Sequence, residues 1–289
     1  VTSKFPFVDK VLVPKDYNNI AKIIFSFYNK KCEKLPDAKT TRWLTSPMHY
    51  AYIKIADGCN NRCAFCKIPF IRGNYTSVPM EEIVKEAELL CERGVKEIIL
   101  VAQDITRYGM DLYKDYKLCE LLQKLSKIKK LSWIRLLYCY PDKIDDKLIN
   151  EIKTNHKVLK YIDIPLQHIS DNVLTGMKRH SSESDIKHLI LKLREEIPNI
   201  KIRTTFMVGF PNETKKDFNN LCQFLKEYKL DNVGFFKYSR EDGTISYNLE
   251  NQVPEKVKDK RLKQVEKIQE KIAEDNNKKY IGEIFKVII

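Results

Sequence analysis

The sequence has no run of eighteen or more apolar residues and no signal-peptide pattern at its start, which leaves no candidate membrane span or secretory leader. The expectation is a soluble, cytoplasmic protein with no membrane partner. It also lacks the paired cysteine spacing of a disulfide framework: of eight cysteines, Cys32, Cys91, Cys119, Cys139 and Cys222 are scattered and read as core or surface thiols. Acidic residues are in deficit, 39 against 52 Lys plus Arg, for a net charge of +13. That excess is compatible with an RNA or ribosome contact, although a general richness in Lys, Asn and Ile gives the same total with no such partner. There is no initiator Met before Val1, and the chain ends on an apolar stub, residues 286–289, so it reads as part of a longer protein.

What stands out against these absences is the run Asp57-Gly58-Cys59-Asn60-Asn61-Arg62-Cys63-Ala64-Phe65-Cys66, a C-x3-C-x2-C spacing. Three thiolates without a fourth describe an open metal centre, because closed structural sites take four protein ligands. The cysteines sit in a polar loop after an alternating apolar segment, and not on an apolar helix face where inert thiols belong. A 4Fe-4S cluster with one free iron is the reading that fits best. Two others stay open at this point: a zinc site completed by His49 or His168, and a chance cluster.

At 289 residues the chain has room for one large domain with small appendages. Apolar segments rich in β-branched and aromatic residues predict strands at 49–56, 97–101, 133–138, 161–164, 202–208 and 233–238. Helical periodicity fills the gaps at 80–93, 118–128, 145–153, 184–196 and 215–228, the last with Thr214 as its cap. Such alternation predicts an α/β fold with a parallel sheet, since parallel strands need long crossovers. Six units without a seventh or eighth predict an open partial (β/α)6 barrel, whose active site should lie at the C-terminal strand ends. The cysteine loop follows the first strand directly.

The remainder divides by composition. Residues 1–45 read as the tail of a preceding domain plus a polar linker, with an amphipathic pattern in 9–28; residues 46–250 form the core. Residues 251–279 predict a charged C-terminal helix with Leu262, Val265, Ile268 and Ile272 on one face, and 280–289 the first strand of a small β module.

The three-cysteine loop, with an aromatic before its last cysteine, resembles the signature of radical S-adenosylmethionine (SAM) enzymes. That family has a partial six-strand barrel, and the resemblance implies a 4Fe-4S cluster on Cys59, Cys63 and Cys66. The open iron would chelate SAM, with the backbone beside Phe65 against the adenine. The stretches YAYIKIA (50–56), VAQDITRYG (101–109), IPLQH (164–168), MKR (177–179), RTTFMVGFPNET (203–214) and FKYSREDGT (236–244) look like the methylthiotransferases, and span nearly the whole barrel. Thr205, where tRNA-modifying MiaB-like enzymes usually carry an aspartate, and Leu166-Gln167-His168, where they carry a valine-glutamine-serine run, place the chain nearer the RimO type. That branch methylthiolates an aspartate β-carbon in a ribosomal protein of the small subunit. Asn212 departs from the family's usual glycine, but asparagine tolerates a left-handed turn.

By the same resemblance, Gln103 and Gln167 at strand ends would bind SAM, and Gly209 with Pro211 would let the backbone approach adenine. Arg203 would pair with the SAM carboxylate or a substrate acid; Lys237, Asp104 and Asp163 are further candidates. No catalytic residue is assigned beyond the cluster ligands. A second 4Fe-4S cluster on an N-terminal domain, an electron donor such as a flavodoxin or ferredoxin, and a C-terminal TRAM-type module are also implied. The cysteines for that second cluster are not among these residues.

Overall fold

The computed structural model describes residues 5–12, 16, 19–31 and 42–289. The chain separates into two compact units, 1–44 and 45–289. In the first, α1 (Ile20–Phe27) buries none of its side chains. The expected linker over 33–41 and Cys32 lie outside the described residues.

The second unit is built on parallel strands. β1 (Tyr50–Lys54), β4 (Glu97–Val101) and β5 (Trp133–Leu136) form one ladder; β6 (Tyr161–Gln167), β7 (Lys201–Val208) and β8 (Asn232–Lys237) form another. The two join where Ile134 bridges to Val158 and the Cys139 N–H donates to Asp163 O at 2.8 Å. The resulting order is β1-β4-β5-β6-β7-β8, and no ladder joins β1 to β8 among the described residues. All six predicted strands are present in an open parallel sheet.

Between the strands run α3 (Met80–Glu92), α5 (Leu118–Ser126), α6 (Asp146–Thr154), α8 (Glu183–Glu196) and α9 (Lys215–Tyr228), each with apolar residues at helical spacing turned inward. α9 shows the pattern well: Phe218, Leu221, Phe224 and Leu225 are buried, and Phe224 meets Phe206 of β7 edge to face at 5.9 Å. Each such fully buried side chain contributes about 1.5–3 kcal/mol. Thr214 forms the expected cap, in a reciprocal capping box with Asp217, and Ser182 does the same with Asp185 for α8.

Shorter elements decorate the C-terminal strand ends. β2 (Ala56–Asp57) and β3 (Thr76–Ser77) form a two-residue antiparallel clasp; α2 (Ile68–Arg72), α4 (Met110–Tyr113) and α7 (Asp171–Gly176) lie in loops. α10 (Glu255–Lys278) packs on β8 and α9 through Val265 and Ile272, with Lys258 and Gln269 also buried, while Leu262 and Ile268 are half-buried.

Two expectations change. Residues 280–289 form no strand, because a lone apolar segment has no ladder partner for its backbone; Ile284 and Ile289 are fully exposed. Lys237 leaves the strand-end mouth: its ammonium pairs with Glu255 at 3.2 Å and Asp259 at 2.7 Å on α10.

Candidate active site

The cysteine segment leaves β1 and returns through the β2–β3 clasp, so both its ends are pinned within a few residues. Gly58 makes the closure possible. Its φ is +73°, and a Cβ there would lie 2.2 Å from Asn74 O. Beyond it, Cys59 N–H donates to Gly73 O at 3.2 Å and Tyr75 N–H to Asn60 Oδ1 at 3.0 Å, which zips the two arms of the loop together.

The loop is then tied to the barrel. Asn61 Nδ2 donates to Asp104 Oδ2 at 2.8 Å, Tyr75 OH to Asp104 O at 2.9 Å, and Thr106 N–H to Asp104 Oδ1 at 3.0 Å. Asp104 is fully buried and raised above the usual carboxylate range by burial, against which the Thr106 and Asn61 donors work. Its role is to hold the cysteine loop at the end of β4. On the other side Ala64 N–H donates to Met177 O and Ser246 N–H to Ala64 O, both at 2.9 Å. Ala64 belongs to a buried cluster with Val173, Met177, Met207, Phe210 and Tyr238; Phe65 packs on it, edge to face with Phe210 at 6.5 Å.

Cys59, Cys63 and Cys66 are all half-buried free thiols beside the C-terminal end of β1. Burial pushes Cys59 up to about 11, helped by the charge of Asp104 and by the other two thiols, and burial likewise raises Cys66. Cys59 and Cys66, each raised further by the thiol of Cys63 beside it, are groups that a bound iron centre would convert to thiolates. Neither candidate zinc partner fits. His49 precedes β1, about 16 Å along the strand from Lys54 at roughly 3.3 Å per residue. His168 is fully buried, its Nδ1 accepts the Ser170 N–H at 3.0 Å, and the charged groups around it are Asp217 of α9 and Arg261 of α10, not the three thiols. Among the described residues no three His, Cys, Asp or Glu side chains gather about one point. Three free thiols on one clasped loop are the donor set of an iron–sulfur cluster, and Cys59, Cys63 and Cys66 would be the residues to hold it.

Gln103 and Gln167, one after β4 and one ending β6, each keep a buried Oε1 with no hydrogen-bond partner. An unpaired buried acceptor is costly, so both oxygens invite a donor from a ligand. A β-bulge aims Gln167: the pairing steps from Ile164↔Thr204 to Gln167↔Phe206, which inserts one extra residue in β6 and leaves Gln167 at φ +72°. The Thr204 hydroxyl repairs the gap by donating to Ile164 O at 2.7 Å and accepting from Leu166 N–H at 3.3 Å.

Arg203 and Gly209 are employed otherwise than expected. Arg203 pairs with Asp163 directly across β6 and β7, about 16 Å along β7 from its end at Val208 at roughly 3.3 Å per residue. Its guanidinium pairs with that carboxylate. Gly209 has φ +76°, and the place of its absent Cβ is taken by the Lys258 side chain, whose Cγ would be 2.3 Å away, so what approaches its backbone is α10. Asn212 holds the left-handed turn at φ +66°.

Several residues escaped the sequence reading. Asn61 and Tyr75 hold the loop, while Glu213 accepts the N–H groups of Gly209 and Phe210 and pairs with Arg261 at 3.0 Å. Tyr140 and Arg179 touch Cys63. Asn61, Arg179 and Glu213 lay inside the cysteine run, the MKR stretch and the 203–214 stretch without a role assigned to them, and only Tyr75 and Tyr140 had no signal.

Among the described residues, no helix is long and apolar enough to cross a membrane. Residues 53–225 match the family model of the Radical SAM superfamily. The ribosomal protein uS12 methylthiotransferase RimO of Clostridium botulinum is 49% identical over 292 residues, covering 98% of this chain and 66% of that protein. The protein of the same name from Acetivibrio thermocellus is 44% identical over 303 residues, covering 100% and 67%. The chain thus spans about two thirds of the length of these relatives. Among solved structures, the radical S-adenosylmethionine methyltransferase TsrM from Kitasatospora setae shares the fold, with a TM-score of 0.54 at 18% identity over 65% of this chain and 35% of that one. The chain belongs to the radical SAM superfamily and, within it, to the RimO methylthiotransferase family.

Proposed function

We propose that this chain is the catalytic core of a methylthiotransferase that installs a methylthio group on an aspartate β-carbon of ribosomal protein uS12. The observation that carries the reading is the clasped loop of Cys59, Cys63 and Cys66 at the C-terminal end of β1, in a chain 44–49% identical to RimO proteins. Cys59, Cys63 and Cys66 hold a 4Fe-4S cluster, and Gln103 and Gln167 offer their unpaired oxygens to SAM. When bound, the cluster and SAM supply radical chemistry able to abstract hydrogen from an unactivated carbon. Asn61, Asp104 and Tyr75 keep the loop rigid, and Phe65 anchors it on the Phe210 cluster. The second 4Fe-4S cluster, which the family resemblance implies as the route for sulfur, belongs to a domain outside these residues. A flavodoxin or ferredoxin supplies the electron, and basic surface residues contact the ribosome in the cytoplasm.

Anaerobic reconstitution tests the core: about four irons at this loop and dithionite-dependent release of 5'-deoxyadenosine are expected. The intact protein, given SAM and uS12, should add a methylthio mass to one aspartate. The same increment on tRNA adenosine and none on uS12 overturns the substrate assignment.

A further inference from the structure

The three thiols are not equivalent in their surroundings. Cys59 Sγ accepts the Asn61 N–H at 3.5 Å, and Cys66 accepts the backbone N–H of Ile68. Among the described residues Cys63 alone of the three has side-chain partners: the Tyr140 hydroxyl lies 3.6 Å from its sulfur, where it can donate to a thiolate, and Arg179 Nη1 donates to it at 3.6 Å.

Arg179 is built into this position. It is only 9% exposed, and its Nη2 donates at 2.6 Å to Pro165 O, at the bulge of β6. Its guanidinium stacks over the Tyr140 ring at 3.9 Å, and Tyr140 is 4% exposed. Among the described residues, no carboxylate pairs with Arg179, so a nearly buried cation faces a sulfur with no formal counter-charge. Burying such a charge is costly unless an anion meets it. A cubane held by three thiolates is that anion, and it becomes more negative on reduction.

We infer that Arg179, with Tyr140 beside it, is a positioning residue that fixes Cys63 and raises the reduction potential of the cluster. The inference rests on the reading of Cys59, Cys63 and Cys66 as cluster ligands. Hydrogen bonds to the sulfurs, net charge and solvent exposure set iron–sulfur potentials. One electron from an external reductant such as dithionite adds one negative charge to the cluster, while no bond forms or breaks at Arg179 or Tyr140. A fixed cation and a hydroxyl donor on Cys63 favour the reduced state.

The test is an anaerobic redox titration of the intact reconstituted protein, followed by the EPR signal that changes when SAM is added. Arg179→Met should lower the reduced-to-oxidised ratio about tenfold at a fixed ambient potential, equivalent to about 59 mV for a one-electron couple. Arg179→Lys, which keeps the charge, should recover part of that loss. Tyr140→Phe, which keeps the stacking ring and removes only the hydroxyl, should shift in the same direction by less. Wild-type potentials in all three variants with intact signals overturn the inference. If Arg179→Met fails to retain iron, the other two decide: a lowered potential in either supports it, and wild-type values in both overturn it. A wild-type protein with iron but no SAM-responsive signal sinks the ligand assignment itself, and the inference with it.

Discussion

Glu213 should make the stability of this domain fall as pH rises through the weakly acidic range. Its side chain is fully buried at the turn between β7 and α9, where one oxygen accepts the Gly209 and Phe210 N–H groups and the other pairs with Arg261 of α10 at 3.0 Å. Burial outweighs the Arg261 charge and these donors, and pushes the carboxyl up from 4.5 to about 7. The folded state therefore holds a proton that the unfolded chain releases near 4.5. The corresponding stability is fully present below pH 4.5 and is lost as pH rises to about 7. At about 1.36 kcal/mol per pH unit, the window amounts to about 3 kcal/mol. Glu213→Gln removes the titrating group and keeps the size. Urea unfolding of the wild-type chain and the variant at several pH values between 4.5 and 7.5 isolates the effect, because other titrating groups cancel in the difference. The wild type should lose about 3 kcal/mol relative to the variant across that range. A flat difference, or one that rises with pH, would refute the reasoning, since it would mean that Arg261 and the two N–H donors outweigh desolvation.

Replacing any one of Cys59, Cys63 or Cys66 by alanine should abolish both the reconstituted iron at this loop and the release of 5'-deoxyadenosine; retention of SAM cleavage in any of the three removes that cysteine from the ligand set. Gly58→Ala forces a Cβ to 2.2 Å from Asn74 O at a left-handed φ, which costs at least about 1–2 kcal/mol for the backbone alone, so cluster retention should drop while the helical circular dichroism persists. Gln103→Leu and Gln167→Leu remove unpaired buried acceptors, so neither should destabilise the apo chain. Each should weaken SAM binding about tenfold, the value of one hydrogen bond near 1.4 kcal/mol, and unchanged affinity by calorimetry argues against the role given to that glutamine.

Local signals made much of this molecule legible in the sequence. The apolar segments at 97–101 and 202–208, separated by helical periodicity, became β4 and β7 with bounds within a residue, because strand and helix periods follow from which face each residue buries. The 215–228 helix and its Thr214 cap were equally readable, since a capping box is a contact between near neighbours. The strand expected within 280–289 did not form for the complementary reason: a strand needs another strand, and among the described residues none pairs with it.

By itself the sequence determined that three thiols share one loop after the first strand, that the sheet is parallel, and which family the motifs resemble, all of which depend on residues close together in the chain. Only the tertiary structure decided how those thiols are held and tuned. Asp104 lies 43 residues from the Asn61 it receives, Arg179 lies 116 from Cys63, and Lys258 of α10 fills the space beside Gly209. Arg203 looked available to a ligand until its strand register set it against Asp163. Contacts at such separations arise from how strands and helices pack, and side-chain chemistry alone does not specify them.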